Sequence, residues 1–261
     1  MKNESLSKTL LVAVGVTLFC SFMVSGAVTL LRPIQLEQSA PQNLLYILQT
    51  AGLVDYAETQ LKKEEIIEQF KKVEIRILDL NTAGFVTKTE KKDYDYRQSM
   101  ADPNASSKLA KKDDLAQLEQ RPNKMPTYWV HSATSKTKLV LPIYGKGMWS
   151  MIHGYIALEN DFNTISGIYF YEQGDTPGIG ELIQAPTWLA SWKGKQIYNA
   201  EGILTFRINP NTNGSVSSTN QVDGITGATK TVVGVNNLIQ FWFGDNGYRK
   251  FLLKQRQLLQ G

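Results

Sequence analysis

Asp223-Gly224-Ile225-Thr226-Gly227-Ala228-Thr229 stands directly before an apolar run with helical spacing, so a turn of small residues presents the Thr229 hydroxyl at a helix start. Gly227 and Ala228 leave space for a bulky group joined to the Thr229 oxygen. The free N–H groups and the dipole of a helix N-terminus favour a phosphate at that point. The chemistry this spacing offers is the covalent carriage of a phosphate-bearing group on a threonine oxygen. Thr226 is placed to cap the helix or to bond the phosphate, and Asp223 to orient the turn. An ordinary capped turn uses the same residue types, since Thr and Gly are common at helix starts.

Two other segments suit a planar ligand. Gly145-Lys146-Gly147-Met148-Trp149-Ser150 puts two glycines and an aromatic at a strand junction. Glycine lets backbone approach a ring closely, and Trp149 or Met148 can pack on it. A hairpin with a core tryptophan would read the same way. Asp175-Thr176-Pro177-Gly178-Ile179-Gly180-Glu181 is stiffened by its proline, while Gly178 and Gly180 are expected to expose backbone N–H and C=O groups. Such groups can bond the polar edge of a ligand at Thr176 to Gly180 while Ile179 covers its apolar face. The plain alternative is a Pro-Gly turn.

The elements that must position these segments follow from periodicity. Residues 43–51 read as a short helix stopped by Gly52, and 59–72 as a second helix with a Glu68–Lys72 pair at i,i+4. Val73 to Leu80 alternates and reads as a strand. Further strands are expected at 138–144, 150–158, 164–172 and 203–208, with a short helix at 185–192 and a longer one at 227–243, before a polar amphipathic tail. Residues 87–124 carry nine Lys/Arg and seven Asp/Glu and read as a solvated insertion with one short helix near 114–120: a lid, a partner surface or, as the plainest reading, a mobile flap. The pattern predicts an α+β fold, a mainly antiparallel sheet with flanking helices.

Composition narrows the function classes. The 261 residues suit one good-sized domain with an appendage. A net charge of +4, mixed along the chain, does not suggest a nucleic-acid partner. Cys20 is the only cysteine, and His131 and His153 are the only histidines, so neither a disulfide framework nor a metal site is expected. Redox chemistry in this chain would need a bound organic cofactor or a site shared with another chain. The dinucleotide fingerprint of strand, G-x-G-x-x-G and helix is missing from the sequence.

Thr9 to Leu31 is uncharged over 23 residues, flanked by Lys8 and Arg32. That length spans the roughly 30 Å of a bilayer's hydrocarbon core as a helix. Ser25-Gly26-Ala27 has the small-x-small pattern of a signal-peptide cleavage site, but the apolar run continues through Val28, Leu30 and Leu31, which favours a retained anchor. With residues 1–8 inside, residues 32–261 lie outside the cytoplasm.

The Asp-x-x-Thr-Gly-Ala-Thr motif resembles the flavinylation motif of periplasmic FMN-carrying proteins. With the Gly147-Met148-Trp149 and Thr176-Pro177-Gly178 segments in this order after one anchor, most of the chain resembles the NqrC family, the anchored FMN-carrying subunit of the sodium-translocating NADH:quinone oxidoreductase. The corresponding FMN-carrying subunit of the related Rnf electron-transfer complex shares the motif. A non-redox, membrane-anchored scaffold protein with an incidental motif is the reading from another class. The family's usual His before the Thr-Pro-Gly loop and its Gly-Gly-Glu after it are replaced here by Glu172 and by Gly180-Glu181. The resemblance implies FMN covalently bound through its phosphate to Thr229, with Asp223, Thr226, Gly227, Ala228, Trp149, Thr176, Gly178, Ile179 and Gly180 about it. It further implies electron relay within a multisubunit complex of the bacterial inner membrane, a periplasmic domain, and an FAD-dependent flavin transferase as maturation partner. That enzyme would recognise Asp223.

Overall fold

The computed structural model describes residues 6–56, 61–86, 94–131, 137–209 and 218–260. The chain forms two units, Met1–Asn43 and Leu44–Gly261. In the first, Ser7–Leu31 is helical and long and apolar enough to cross a membrane. Its large side chains, Leu10, Phe22 and Leu30 among them, are exposed.

The elements in chain order are α1 (Leu6–Ala51), α2 (Lys63–Phe70), β1 (Val73–Asp79), β2 (Gly84–Phe85), α3 (Tyr96–Ser99), β3 (Ser106–Lys108), β4 (Gln120–Pro122), β5 (Lys124–His131) and β6 (Thr137–Lys146). There follow β7 (Met151–Leu158), β8 (Ile165–Glu172), a 3-10 turn at Gly180–Gln184, α4 (Pro186–Ala190), β9 (Arg207–Asn209), β10 (Gln221–Asp223), α5 (Thr229–Trp242) and α6 (Arg249–Gln260).

Six strands pair in the order β2-β1-β5-β6-β7-β8, every neighbour antiparallel. Side chains alternate along them, so the sheet has two buried faces. Leu139, Leu141 and Ile143 of β6, Ile152 and Ile156 of β7, and Ile168 and Phe170 of β8 join a core with α4, α5 and α6. Val140, Tyr155 and Ala157 join a second core with Leu45, Leu48 and Ala51 of α1 and Ile66 of α2. The α+β antiparallel architecture expected from periodicity is the one observed.

β6 is paired to β5 only as far as Val140. Pro142 follows, and proline has no donor for a ladder. Side chains from the end of α5 and from the turn before α6 take over that edge: Trp242 Nε1–H donates to Tyr144 O at 2.7 Å, and Tyr248 Oη–H to Pro142 O at 2.7 Å. Next along the edge, Lys146 N–H donates to Ala116 O at 2.8 Å. Helix α5 lies hard against this end of β6. A Cβ on Gly234 would be 2.6 Å from Lys146 O, so only glycine permits the approach.

Several expectations need correction. The helix expected at 43–51 is the last part of α1, which continues past Arg32-Pro33. Gln35, Leu36, Glu37 and Gln38 are good helix formers, and burial of Leu45, Ile47, Leu48 and Ala51 holds the far end. Of the helix expected at 59–72, residues 59–60 lie outside the described residues and the rest is shorter. Glu68 pairs with Lys71 at 2.5 Å, and Lys72 Nζ–H donates instead to Gln69 Oε1 at 2.8 Å.

The insertion is not a flap in its described part, 94–124; residues 87–93 lie outside the described residues. β3 and β4 pair, Tyr96, Ala116 and Arg121 are buried, and Arg121 donates to Asn246 O at 2.6 Å and to Asn81 Oδ1. No helix forms at 114–120. The Asp114 carboxylate accepts the N–H groups of Leu118 and Glu119 at 2.8 and 2.7 Å, and Gln117 and Glu119 have positive φ. Local carboxylate bonds of this kind compete with helix.

The strand expected at 203–208 is reduced to Arg207–Asn209, because the N–H groups of Thr205 and Phe206 both turn to Ile197 O. Its partner β10 runs parallel to it. The helix expected at 185–192 is α4 alone, entered through the 3-10 turn, and the one expected at 227–243 is α5, starting at Thr229.

Candidate functional site

β10 ends at Asp223, and the chain turns once before α5. Gly224 N–H donates to Asn209 O at 2.7 Å, and Ala228 N–H closes the turn on Ile225 O at 3.1 Å. The Trp188 indole N–H donates to Asp223 O at 2.8 Å. Asn236, further along α5, accepts Ile208 N–H at 2.9 Å and ties β9 to the same helix. The turn is therefore fixed from three sides.

Gly227 has φ +85°, a conformation that favours glycine, with open space on its Cβ side. Thr229 is the first helical residue and is exposed, as are Asp223, Thr226 and Gly227. The N-cap residue of α5 is Ala228, which makes no side-chain cap bond. Thr226 stands two residues before it, exposed on the turn. Ala228 does not leave space: it is 3% exposed and packs into the core. It seats the turn from below.

The structure brings the other two segments to this helix. The Asp175 carboxylate accepts Trp149 N–H at 3.0 Å and Met148 N–H at 3.3 Å. Ser150 Oγ accepts Gly174 N–H at 2.7 Å. A Cβ on Gly180 would lie 2.5 Å from Asp175 Cβ and 2.9 Å from Thr231 Oγ1, in the first turn of α5. A Cβ on Gly147 would be 2.8 Å from Ile152 Cδ1, and Gly147 Cα itself lies 3.1 Å from where one would stand on Gly234 of α5. The 147–150 turn, the 175–181 loop and the α5 N-terminus are thus in mutual contact.

Gly180 is buried, so its use is close packing between loop and helix and not the exposed backbone expected of it. The Gly178 N–H, also expected to be open, is taken by Glu181 Oε2 at 3.1 Å; the residue itself is exposed with φ +72°. Thr176 is exposed and its carbonyl accepts Ile179 N–H at 3.1 Å. Trp149 is 65% and Ile179 46% exposed, with Met148 and Leu182 also open. Sequence reasoning passed over Asp175, Ser150, Trp188 and Thr231. The first is a buried acid inside a loop already singled out, and that pairing of burial with acidity has no sequence signature.

Behind the turn the strand ends carry a polar cluster. Arg97 pairs with Glu172 at 2.8 Å and donates to the Tyr171 hydroxyl at 3.1 Å. His153, opposite Glu172 in the sheet, stacks on Tyr144 with ring centroids 5.4 Å apart. Burial, and then the Arg97 charge, push the imidazole down to about 4, so it is neutral at pH 7.

Comparison with known proteins places this arrangement. The family model of the FMN-binding domain matches residues 147–244, the stretch from the Trp149 turn to the end of α5. The chain is 36% identical over 254 residues to the NqrC-type subunit of the Na(+)-translocating NADH-quinone reductase of Pasteurella multocida, covering 97% of this chain and 95% of that one. It is 36% identical over 261 residues to the subunit of the same name from Pseudomonas aeruginosa, covering 98% of each. The crystal structure of Shewanella oneidensis NqrC superposes with a TM-score of 0.74 at 34% identity, over 83% of this chain and 97% of that one. Identity at this level over nearly the full length, on a shared fold, means that the chain belongs to the NqrC family of Na(+)-translocating NADH-quinone reductase subunits.

Proposed function

We propose that this chain is the flavin-carrying subunit of a sodium-translocating NADH:quinone reductase, and that FMN is joined through its phosphate to Thr229. The observation that carries the attachment is the difference between two neighbouring threonines. Thr229 is exposed on the first turn of α5, while Thr231 is 2% exposed and sealed against Gly180. One hydroxyl is open to a loading enzyme and the other is not.

The surroundings fit an FMN. A helix N-terminus whose N-cap residue is an alanine suits a phosphate. Trp149, Met148, Ile179 and Leu182 are large apolar groups left open on one set of joined loops, the type of surface a planar ring covers. When bound, the flavin supplies the redox chemistry. The chain's own residues anchor and orient it: Thr229 holds the phosphate, Gly227 keeps the approach clear, and Trp149, Ile179, Thr176 and Gly178 border the ring. Asp223 is exposed at the end of β10, where a flavin transferase using FAD can reach it. NADH and quinone are handled by partner subunits, between which this one relays electrons.

The full-length chain, coexpressed with a flavin transferase and extracted from membranes, is expected to fluoresce in a denaturing gel. Its intact mass should be one FMN moiety above that of the bare chain. A colourless chain of unmodified mass would favour a scaffold.

Residues 9–31 serve in this reading as a single-pass anchor in the bacterial inner membrane, with the flavin domain on the periplasmic side. What supports it is the exposed apolar surface of Ser7–Leu31, unbroken past Ala27. N-terminal sequencing of the membrane-extracted protein should find the Met1 end. A start at Val28 would make the segment a cleaved signal.

A further inference from the structure

Asp175 is 4% exposed, and a buried carboxylate is costly unless its oxygens are bonded. Here both are. Oδ1 accepts Trp149 N–H at 3.0 Å and Oδ2 accepts Met148 N–H at 3.3 Å. Its own N–H donates to Gln173 Oε1 at 2.7 Å, and its Cβ is the surface against which Gly180 packs. Gly180 in turn abuts Thr231 of α5. One side chain thus links the turn that carries Trp149, the loop that carries Ile179, and through Gly180 the helix that starts at Thr229.

The type of group is informative. The two successive backbone N–H groups each meet a separate oxygen of the one carboxylate, an arrangement that an amide or hydroxyl, with a single oxygen, cannot reproduce. Charge-assisted bonds of this kind are about twice as strong as neutral ones. The residues so held, Met148 and Trp149, are 39% and 65% exposed and lie outside the buried core. Beside the Gly147 N–H to Ser150 O bond at 2.8 Å that closes the turn, the Asp175 carboxylate is what receives their own N–H groups.

We propose that Asp175 is a positioning residue that fixes the Met148-Trp149 turn against the 175–181 loop and so sets the surroundings of the flavin ring, but not its attachment. The flavin part of this inference rests on the reading that Thr229 carries FMN; the tie between the two loops does not.

The test uses the full-length chain in detergent, with and without coexpressed transferase, as wild type, Asp175→Asn and Asp175→Ala. In the unloaded protein, amide hydrogen exchange at Met148 and Trp149 should quicken about tenfold or more in Asp175→Ala, the scale set by loss of bonds to a charged acceptor. Asp175→Asn, with one acceptor oxygen, should fall between. In the loaded protein both variants should carry FMN by mass, with a shifted flavin absorption spectrum and midpoint potential, again in that order. A purely structural role would lower the melting temperature without moving the spectrum or potential of the folded variant. Wild-type exchange at both amides, or wild-type spectrum and potential in loaded Asp175→Ala, would overturn the proposal. Should Asp175→Ala fail to fold, Asp175→Asn decides by the same readings. A wild type that takes no FMN would instead overturn the attachment reading and leave the exchange result to judge the tie.

Discussion

Thr229→Ala is expected to yield a folded chain with no covalent flavin. Mass spectrometry after coexpression with a flavin transferase should show the bare mass, where wild type is heavier by one FMN moiety. The fold should survive because Thr229 is exposed and because alanine is the better helix former at a first helical position. Substitutions of this kind usually change stability by less than about 0.5 kcal/mol. Neighbouring hydroxyls should not substitute. Thr231 is buried, and Thr226 precedes Gly227, outside the helix whose N-terminus would receive the phosphate. Thr229→Ser restores a hydroxyl at the same place and should restore loading. An adduct that persists on Thr229→Ala, or that maps to Thr226 or Thr231, would refute the assignment.

The parts of this fold legible in the sequence are those whose burial is written in local spacing. β6, β7 and β8 alternate large apolar side chains toward two cores, and α5 presents Val232, Val235, Leu238 and Ile239 at helical intervals. Their ends fell within a few residues of expectation, and the Thr229 turn was legible because Gly227-Ala228 punctuates it. The parts that misled are held by contacts distant in sequence. Residues 94–124 look like a solvated charge run, yet Arg121 reaches Asn246 and Ala116 packs against Gly145. Nothing near those residues announces such partners. β9 and β10 are three residues each, too short for a period, and exist because Asn236 and Trp188 hold them to α5 and α4.

The site was legible to a similar degree and for the same reason. Its residue types were visible, including the glycines, but what each glycine is for depends on what lies across from it. Gly178 and Gly180 are two residues apart and read identically. One stands in open space, and the other is wedged between Asp175 and Thr231.

That contrast gives the second large effect. Gly180→Val should be the most damaging single change in the loop, although the backbone there does not require glycine. A Cβ at 2.5 Å from Asp175 Cβ is closer than side chains are found to pack, and valine adds two methyls to it. Overpacking a tight contact costs about 1–3 kcal/mol, occasionally more. For a domain of this size that lowers the melting temperature by roughly 2–4 °C per kcal/mol. The cheapest relief is for the 175–181 loop to lift from α5, which would loosen the Asp175 hold on Trp149. Loading at Thr229 should persist, because the motif turn is fixed by Trp188, Asn209 and Ile225 and not by the loop. The flavin spectrum should shift. The milder Gly180→Ala should be partly rescued by Thr231→Ala, which removes the 2.9 Å contact but leaves the one to Asp175. Scanning calorimetry and the absorption spectrum of the four combinations measure both effects. A Gly180→Val protein that melts with wild type and keeps its spectrum would mean that the loop is not seated against α5 at all.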